Sequence, residues 1–544
     1  MRKKKLLALF LCLLLTLQLS GCGMVGMVLE QVIGQVLNTD VVAYEDMQYS
    51  RPDLEELESV AEEICQLARE TEDIDTVVEG IYRFYDVYDA CYTNFFLADL
   101  HYCADLTDIY WEQEYNFCRE QISRADAALD QLYRALADSS LREELEGEDY
   151  FGSGFFDAYQ GESIWDETFL DLMEQEAALE NQYYQVTSQA NQVEYYSEEY
   201  FSVYGTQLAE LLVELVALRQ QIAAYVGFDS YPEFANQMYH SRDYSVQDAK
   251  AYLEQVPQWL AEDYRSLNWS PVWENLYDYC DERDTLRYVR EATEKMGGSF
   301  QEAFRVLEQG HLYDIGYGEN KSSGAFEVYL WSYQQPFIFM SPYLDQSDKL
   351  TFAHEFGHFV SDYVCYGSGA GTDVAEVFSQ TMEYLSLLYA EDTQALEAYK
   401  LADCMCTYVE QSAYALFELQ LYQLEGEELT AENVQQLYQQ IGTEFGFDSW
   451  GWDSRDYVTV EHFFTEPMYI ISYVVSNDVA FQIYQLEQED PGAGLEIFEQ
   501  CIYDGDGYLI RFAENYGLEN PFDPSRLEAV SATLRRELKD YLTK

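Results

Sequence analysis

Asp348-Lys-Leu-Thr-Phe-Ala-His354-Glu355-Phe-Gly357-His358-Phe-Val-Ser361-Asp-Tyr-Val364 is the stretch on which the reading of this chain turns. Leu350, Phe352, Ala353, Phe356, Val360 and Val364 recur at helical spacing, which predicts a buried helix from Asp348 to about Val364. Residues four apart lie on one helical face, so His354 and His358 can reach a single metal ion together. Glu355, beside the first histidine, can reach a water on that ion. Gly357 costs about 1 kcal/mol relative to alanine in a helix interior, so close packing against a neighbour is its expected reason. The chain has only six histidines, which makes the spacing informative.

Two imidazoles do not complete a catalytic zinc site, which takes three protein ligands. No third histidine follows nearby. A second helix is expected from Asp373 to about Tyr389, after the turn Gly367-Ser-Gly-Ala-Gly371, and it offers Asp373, Glu376 and Glu383. Glu376 could equally close the helix start as part of a capping box.

Working outward, three short strands precede the first of these helices: His311–Ile315, Gly324–Leu330 and Pro336–Met340. Helical patterns fill most of the rest, including Asp53 to about Tyr200 with a break at Gly147–Gly161, then Leu208–Val226 and Val246–Leu260. Ten prolines in 544 residues suit that reading, and no internal repeat interrupts it. The expected fold is mainly α and two-lobed, with a small β-sheet beside a deep cleft. The expected divisions are a leader 1–21, a tether 22–50, a helical N-terminal lobe 51–300 and a catalytic lobe 301–544.

The charge is extreme: 100 Asp and Glu against 30 Lys and Arg. A nucleic-acid partner is excluded on that ground, since phosphate neutralisation needs a basic face. The leader has a basic start, Arg2-Lys3-Lys4-Lys5, and an apolar run Leu6–Leu19 too short for a comfortable span. Leu19-Ser20-Gly21-Cys22 resembles a bacterial lipobox, which implies cleavage before Cys22, a lipid on its thiol, and a protein anchored outside the cytoplasmic membrane.

Several segments together resemble the thimet oligopeptidase / oligoendopeptidase F family of zinc peptidases. They are His354–His358; Ala375-Glu-Val-Phe-Ser-Gln380 with Glu383; Asn320-Lys-Ser-Ser-Gly-Ala-Phe326; Pro336–Met340; Arg219–Phe228; Arg242-Asp-Tyr244; Glu461-His-Phe-Phe464; and Met468–Tyr473. The likeness runs from about Leu218 to Tyr484. Ser361 stands where the family often has a further histidine, and Ile471 where it often has a tyrosine. The resemblance implies one Zn²⁺ per chain on His354, His358 and Glu376, and a zinc-activated water with Glu355 as general base. It makes His462, Tyr469 and Tyr473 cleft residues that stabilise the oxyanion. It also implies oligopeptide substrates, lying along Pro336–Met340 as an edge strand. Two other readings stand beside this endopeptidase: an inactive peptide-binding lipoprotein, and an exopeptidase that anchors a chain end on a cation such as Arg455. His101, His240 and His311 have no metal-like partners and are expected to be structural or exposed.

Overall fold

The computed structural model describes residues 41–542 apart from 148–149, 162, 191–192, 195, 275, 368–369, 392, 450–451 and 505–506. The leader 1–21, Cys22 and most of the tether lie outside the described residues. The fold is mainly helical. Its principal elements in chain order are α1 (Leu54–Glu70), α2 (Ile74–Ala104), α3 (Ile109–Ala137), α4 (Glu167–Ala190), α5 (Thr206–Val226), α6 (Glu282–Met296) and α7 (Gly298–Gly310). Strands β1 (Tyr313–Asp314), β2 (Ala325–Leu330) and β3 (Gln335–Met340) follow, then α8 (Asp348–Cys365), α9 (Thr372–Tyr389), α10 (Ser412–Leu421) and α11 (Ile471–Glu489).

Local sequence accounts for much of this. Asp53 and Asp108 cap α1 and α3 by accepting main-chain N–H bonds. Gly227, at φ +95, ends α5 in the left-handed region that glycine adopts without strain. The helix expected from Val246 to Leu260 is two: Val246–Leu253, closed at its start by a capping box on Ser245, and Val256–Ser266. Pro257 causes the division, because proline is tolerated in a first turn but breaks a helix interior.

Packing forms two main clusters. One joins α1, α2 and α3 with Phe151, Phe155 and Phe156. The other runs from Met47 to Leu538 and contains the cores of α5, α8, α9 and α11. Helices α6 and α7 pack on α8, and α6 on α9, so the expected boundary at residue 300 falls inside this larger core. Apolar side chains on both flanks of residue 300 are buried together, which leaves no solvated seam at that point. The end of the expected tether is packed as well. Val42 exchanges main-chain bonds with the Gln335 side chain at 2.8 Å, and the Tyr44 ring lies 4.2 Å from that of Phe337.

The sheet order is β1-β3-β2, with β1 parallel and β2 antiparallel to β3. Pro336–Met340 is therefore the central strand, not an edge. Every residue of Gln335–Met340 is buried, as a strand covered on both faces requires. The two edge strands are β1 and β2, Ala325–Leu330. Lys321 fixes the turn before it, donating from Nζ to Asp314 O, Gly316 O and Met340 O.

Candidate active site

Helix α8 carries His354, Glu355 and His358, and its apolar residues Leu350, Phe352, Ala353, Phe356 and Val360 are buried. Gly357 faces α9 so closely that a Cβ there would lie 2.6 Å from Phe378 O and from Ser379 Cα. Only glycine permits that approach, and the approach brings Glu376, one turn earlier on α9, under both histidines.

Glu376 is 1% exposed. Its Oε2 lies 3.4 Å from His354 Nε2 and its Oε1 3.9 Å from His358 Nε2. One donor atom from each of the three residues fits within 4.8 Å of the others. Glu376 does not cap its helix, because Gly371 occupies the N-cap with no side-chain cap bond. Ser379 Oγ donates to Glu376 Oε2 at 2.9 Å, and the Tyr469 hydroxyl donates to Oε1 at 2.5 Å.

The other two acids on α9 are committed elsewhere. Glu383 Oε1 accepts from His354 Nδ1 at 2.9 Å, while Glu383 Oε2 pairs with the buried Lys400 at 2.7 Å. Burial alone would raise the Glu383 carboxyl, but Lys400 and His354 outweigh it and hold it below the usual range. Asp373 Oδ1 accepts from Arg242 Nε at 3.2 Å and from Ser472 Oγ at 2.5 Å.

These bonds decide whether a cation fits. A carboxylate on His354 Nδ1 makes that nitrogen the donor, so Nε2 of the neutral ring carries a bare lone pair. That lone pair points at the Glu376 carboxylate. In the neutral ring acceptor faces acceptor, and either a proton on Nε2 or a metal cation between the two satisfies the arrangement. The surrounding carboxylates favour positive charge at His354. Burial opposes charge on His354, yet Glu376, Glu383 and Glu355 lift it to about 9. Burial pulls His358 down to about 4. Burial also lifts Glu355 to about 7, against the lowering effect of His354.

The aromatic side of the site comes from the chain before and into α11. His462 Nε2 lies 3.1 Å from the Tyr473 hydroxyl, and the Tyr469 and Tyr473 rings are 5.3 Å apart. Burial and then the Glu376 charge keep both phenols well above their ordinary range, hence protonated and able to donate. His462 keeps 31% of its side chain exposed.

All seven expected site residues of the described chain therefore converge. Arg455, weighed as an anchor for a chain end, is instead paired with Asp453 and Glu198. His240 is buried and bonded to Thr372 Oγ1 and Pro467 O, each at 3.0 Å, and His101 stacks on Trp111. Lys400 escaped the sequence reading. Its signal was a lysine in the apolar helix Gln394–Cys406 of a chain poor in basic residues.

Residues 44–163 match the peptidase M3 N-terminal domain. No curated protein matches the chain by sequence. Among solved structures, PZ peptidase A with an inhibitor is 17% identical, covering 91% of this chain and 99% of its own, with a TM-score of 0.79. A protein described as an oligoendopeptidase F from Bacillus anthracis str. Ames is 18% identical over 92% of this chain and 99% of its own, with a TM-score of 0.78. Another described as an oligoendopeptidase F is 19% identical over 92% and 99%, with a TM-score of 0.79. At such identities the likeness shows the fold alone: the chain has the large helical fold of the oligoendopeptidase F structures, and its residues 44–163 resemble the peptidase M3 N-terminal domain.

Proposed function

We propose that the chain is a zinc metalloendopeptidase that hydrolyses oligopeptides. The observation that carries this reading is the pair of imidazole Nε2 atoms facing the Glu376 carboxylate, with one donor atom from each of the three residues within 4.8 Å of the others. Two imidazoles and one carboxylate are a donor set that suits Zn²⁺, so His354, His358 and Glu376 would hold it, one ion per chain. When bound, zinc supplies Lewis acidity that polarises a peptide carbonyl and acidifies a water.

The remaining work belongs to the chain's own groups. Glu355, near neutral pH in its buried setting, takes the proton of the attacking water and passes one to the leaving nitrogen. Tyr473 donates to the oxygen on which negative charge develops, and His462 orients that hydroxyl. Tyr469 holds the Glu376 carboxylate. Glu383 fixes the His354 ring and keeps Nε2 free for the ion. The substrate lies along the outer edge of Ala325–Leu330 by strand addition, which reads main chain and accepts many side chains.

The leader extends the proposal to place. A basic start, an apolar run and Leu19–Cys22 support a lipid anchor on Cys22 at the outer face of a bacterial membrane. Cys22→Ala should release the protein; an unlipidated wild type would end this part of the proposal.

The test of the activity is mass spectrometry of peptide-library digests with and without a chelator, beside the zinc content of the purified protein. Internal cleavage that the chelator abolishes is expected. Cleavage that survives full zinc removal would sink the mechanism. Zinc binding with no cleavage would favour the non-catalytic peptide-binding reading, and end-only products the exopeptidase.

A further inference from the structure

Between His462 and Tyr469 the chain makes one short turn, His462–Thr465, and then irregular backbone. Side chains from distant elements hold it. Phe463 O accepts from Arg219 Nη1 at 2.9 Å and Phe464 O from Arg219 Nη2 at 2.5 Å. Pro467 O is bonded by His240 Nε2 at 3.0 Å, and Met468 O accepts from Arg242 Nη2 at 2.8 Å. Met468 N donates to Glu418 Oε1 at 2.7 Å. Met468 itself sits at φ +65, in the left-handed region. A non-glycine residue there stores strain and persists only where its surroundings over-determine it.

Arg242 has a further property. Its side chain is 1% exposed. Nε donates to Asp373 Oδ1 at 3.2 Å, Nη1 to Asn236 Oδ1 at 2.8 Å, and Nη2 to both Met468 O and Ser472 Oγ at 2.8 Å. Asp373 stands three residues before Glu376 on α9. Met468 and Ser472 flank Tyr469. One planar guanidinium thus touches the helix that carries Glu376 and both sides of the residue whose hydroxyl bonds Glu376.

We propose that Arg242 is a positioning residue that sets the distance between α9 and the 468–473 segment, keeping Tyr469 on Glu376 and Tyr473 in place over the reacting carbonyl. The inference rests on the peptidase reading above. Arginine is needed because its rigid fork serves four acceptors in fixed directions, whereas lysine has a single rotating ammonium. Arg219 anchors the earlier part of the same segment through bonds to Glu176, Glu180, Phe463 and Phe464, whereas Arg242 bonds α9 and the 468–473 segment together.

The experiment compares wild type, Arg242→Lys and the milder Ser472→Ala on one quenched peptide, with zinc content measured in each. Arg242→Lys should lower kcat by about 10²-fold, the cost of misplacing a reacting group by roughly 1 Å, with KM and zinc content little changed. Ser472→Ala, which removes one of the four acceptors, should lower kcat in the same direction by about 10-fold. Tyr469→Phe should cost less in the Arg242→Lys background than in wild type, because the hydroxyl is already out of position. Wild-type kcat in folded, zinc-loaded Arg242→Lys, or an unchanged cost of Tyr469→Phe, would reduce Arg242 to a packing residue. If Arg242→Lys does not fold, wild-type kcat in Ser472→Ala overturns the proposal instead. A crystal structure of either variant gives a readout independent of turnover: the Tyr469 hydroxyl should have left Glu376. A wild type that cleaves nothing would remove the peptidase reading and leave that structural result standing.

Discussion

The two sides of the site are built by opposite means. His354, Glu355, His358 and Glu376 sit on two regular helices pressed together through Gly357. His462, Tyr469 and Tyr473 sit on a turn, an irregular strand of chain and the start of α11, and buried side chains from elsewhere hold that backbone. The first side is rigid because helices are stiff and the contact at Gly357 brings main chain against main chain. The second is rigid only while its polar clamps are intact. Ligands for an ion belong on the first kind of support. Groups that meet a changing charge on the substrate can sit on the second, where a small shift alters rate before it alters metal binding.

The largest effects should come from breaking the helix pair. His358→Ala should lose zinc and activity together. Glu355→Gln should keep near-normal zinc and lose about 10²–10⁴ in kcat, the range for a general base. Glu376→Gln should weaken zinc binding more than Glu383→Gln, because Glu376 faces both Nε2 atoms and Glu383 touches only the back of one ring. Zinc content by metal analysis and kcat on one peptide check all four, and strong turnover in Glu355→Gln would contradict the assignment.

On the clamped side, Tyr473→Phe removes one hydroxyl and keeps the ring. It should cost about 10²–10³ in kcat with zinc retained, the usual loss of one oxyanion donor. Tyr469→Phe should act differently, through the aim of the Glu376 carboxylate it bonds, and should cost less in kcat with zinc content little changed. Wild-type kcat in zinc-loaded Tyr473→Phe would move the donor to His462.

Gly357→Ala probes the contact between the helices without touching a ligand. Its Cβ would push on the main chain of α9 at Phe378 and Ser379. Overpacking of this kind costs about 1–3 kcal/mol. Thermal unfolding should show that loss, and chelator competition should show weaker zinc binding as Glu376 retreats.

Glu418→Gln tests the clamp with the smallest effect. Burial lifts the Glu418 carboxyl to about 7, against the lowering influence of the Met468 N–H bond, Arg219 and Arg242. A folded value above the unfolded one means that the native state holds the proton longer, so Glu418 costs stability as pH rises from the ordinary carboxylate range to about 7. Gln keeps an acceptor for Met468 N and cannot ionise. It should raise stability at pH 8 and leave it unchanged near pH 4. An equal gain at both values would place the effect in packing.

Much of this was legible in the chain itself. Helical periodicity around His354-Glu355-Phe-Gly357-His358 set the first helix, and Gly357 announced the close neighbour that the fold supplies. The bounds expected for both site helices agree with α8 and α9 to within a residue or so. These readings worked because spacing along a helix is a local property. Where sequence gave alternatives, only the tertiary structure chose. Asp373, Glu376 and Glu383 lie on one short helix, and the crossing with α8 puts Glu376 at the histidines, Asp373 with Arg242 and Glu383 behind His354. The order of the sheet was equally beyond local reading: the resemblance implied an edge strand at Pro336–Met340, yet β1 and β2 both pair with β3. Lys400, Arg242 and Glu418 act across 17, 131 and 50 residues of chain respectively. The sequence determined which helices form and which chemistry they carry; pairings over such distances depend on how the elements pack, and packing is where those charges found their partners.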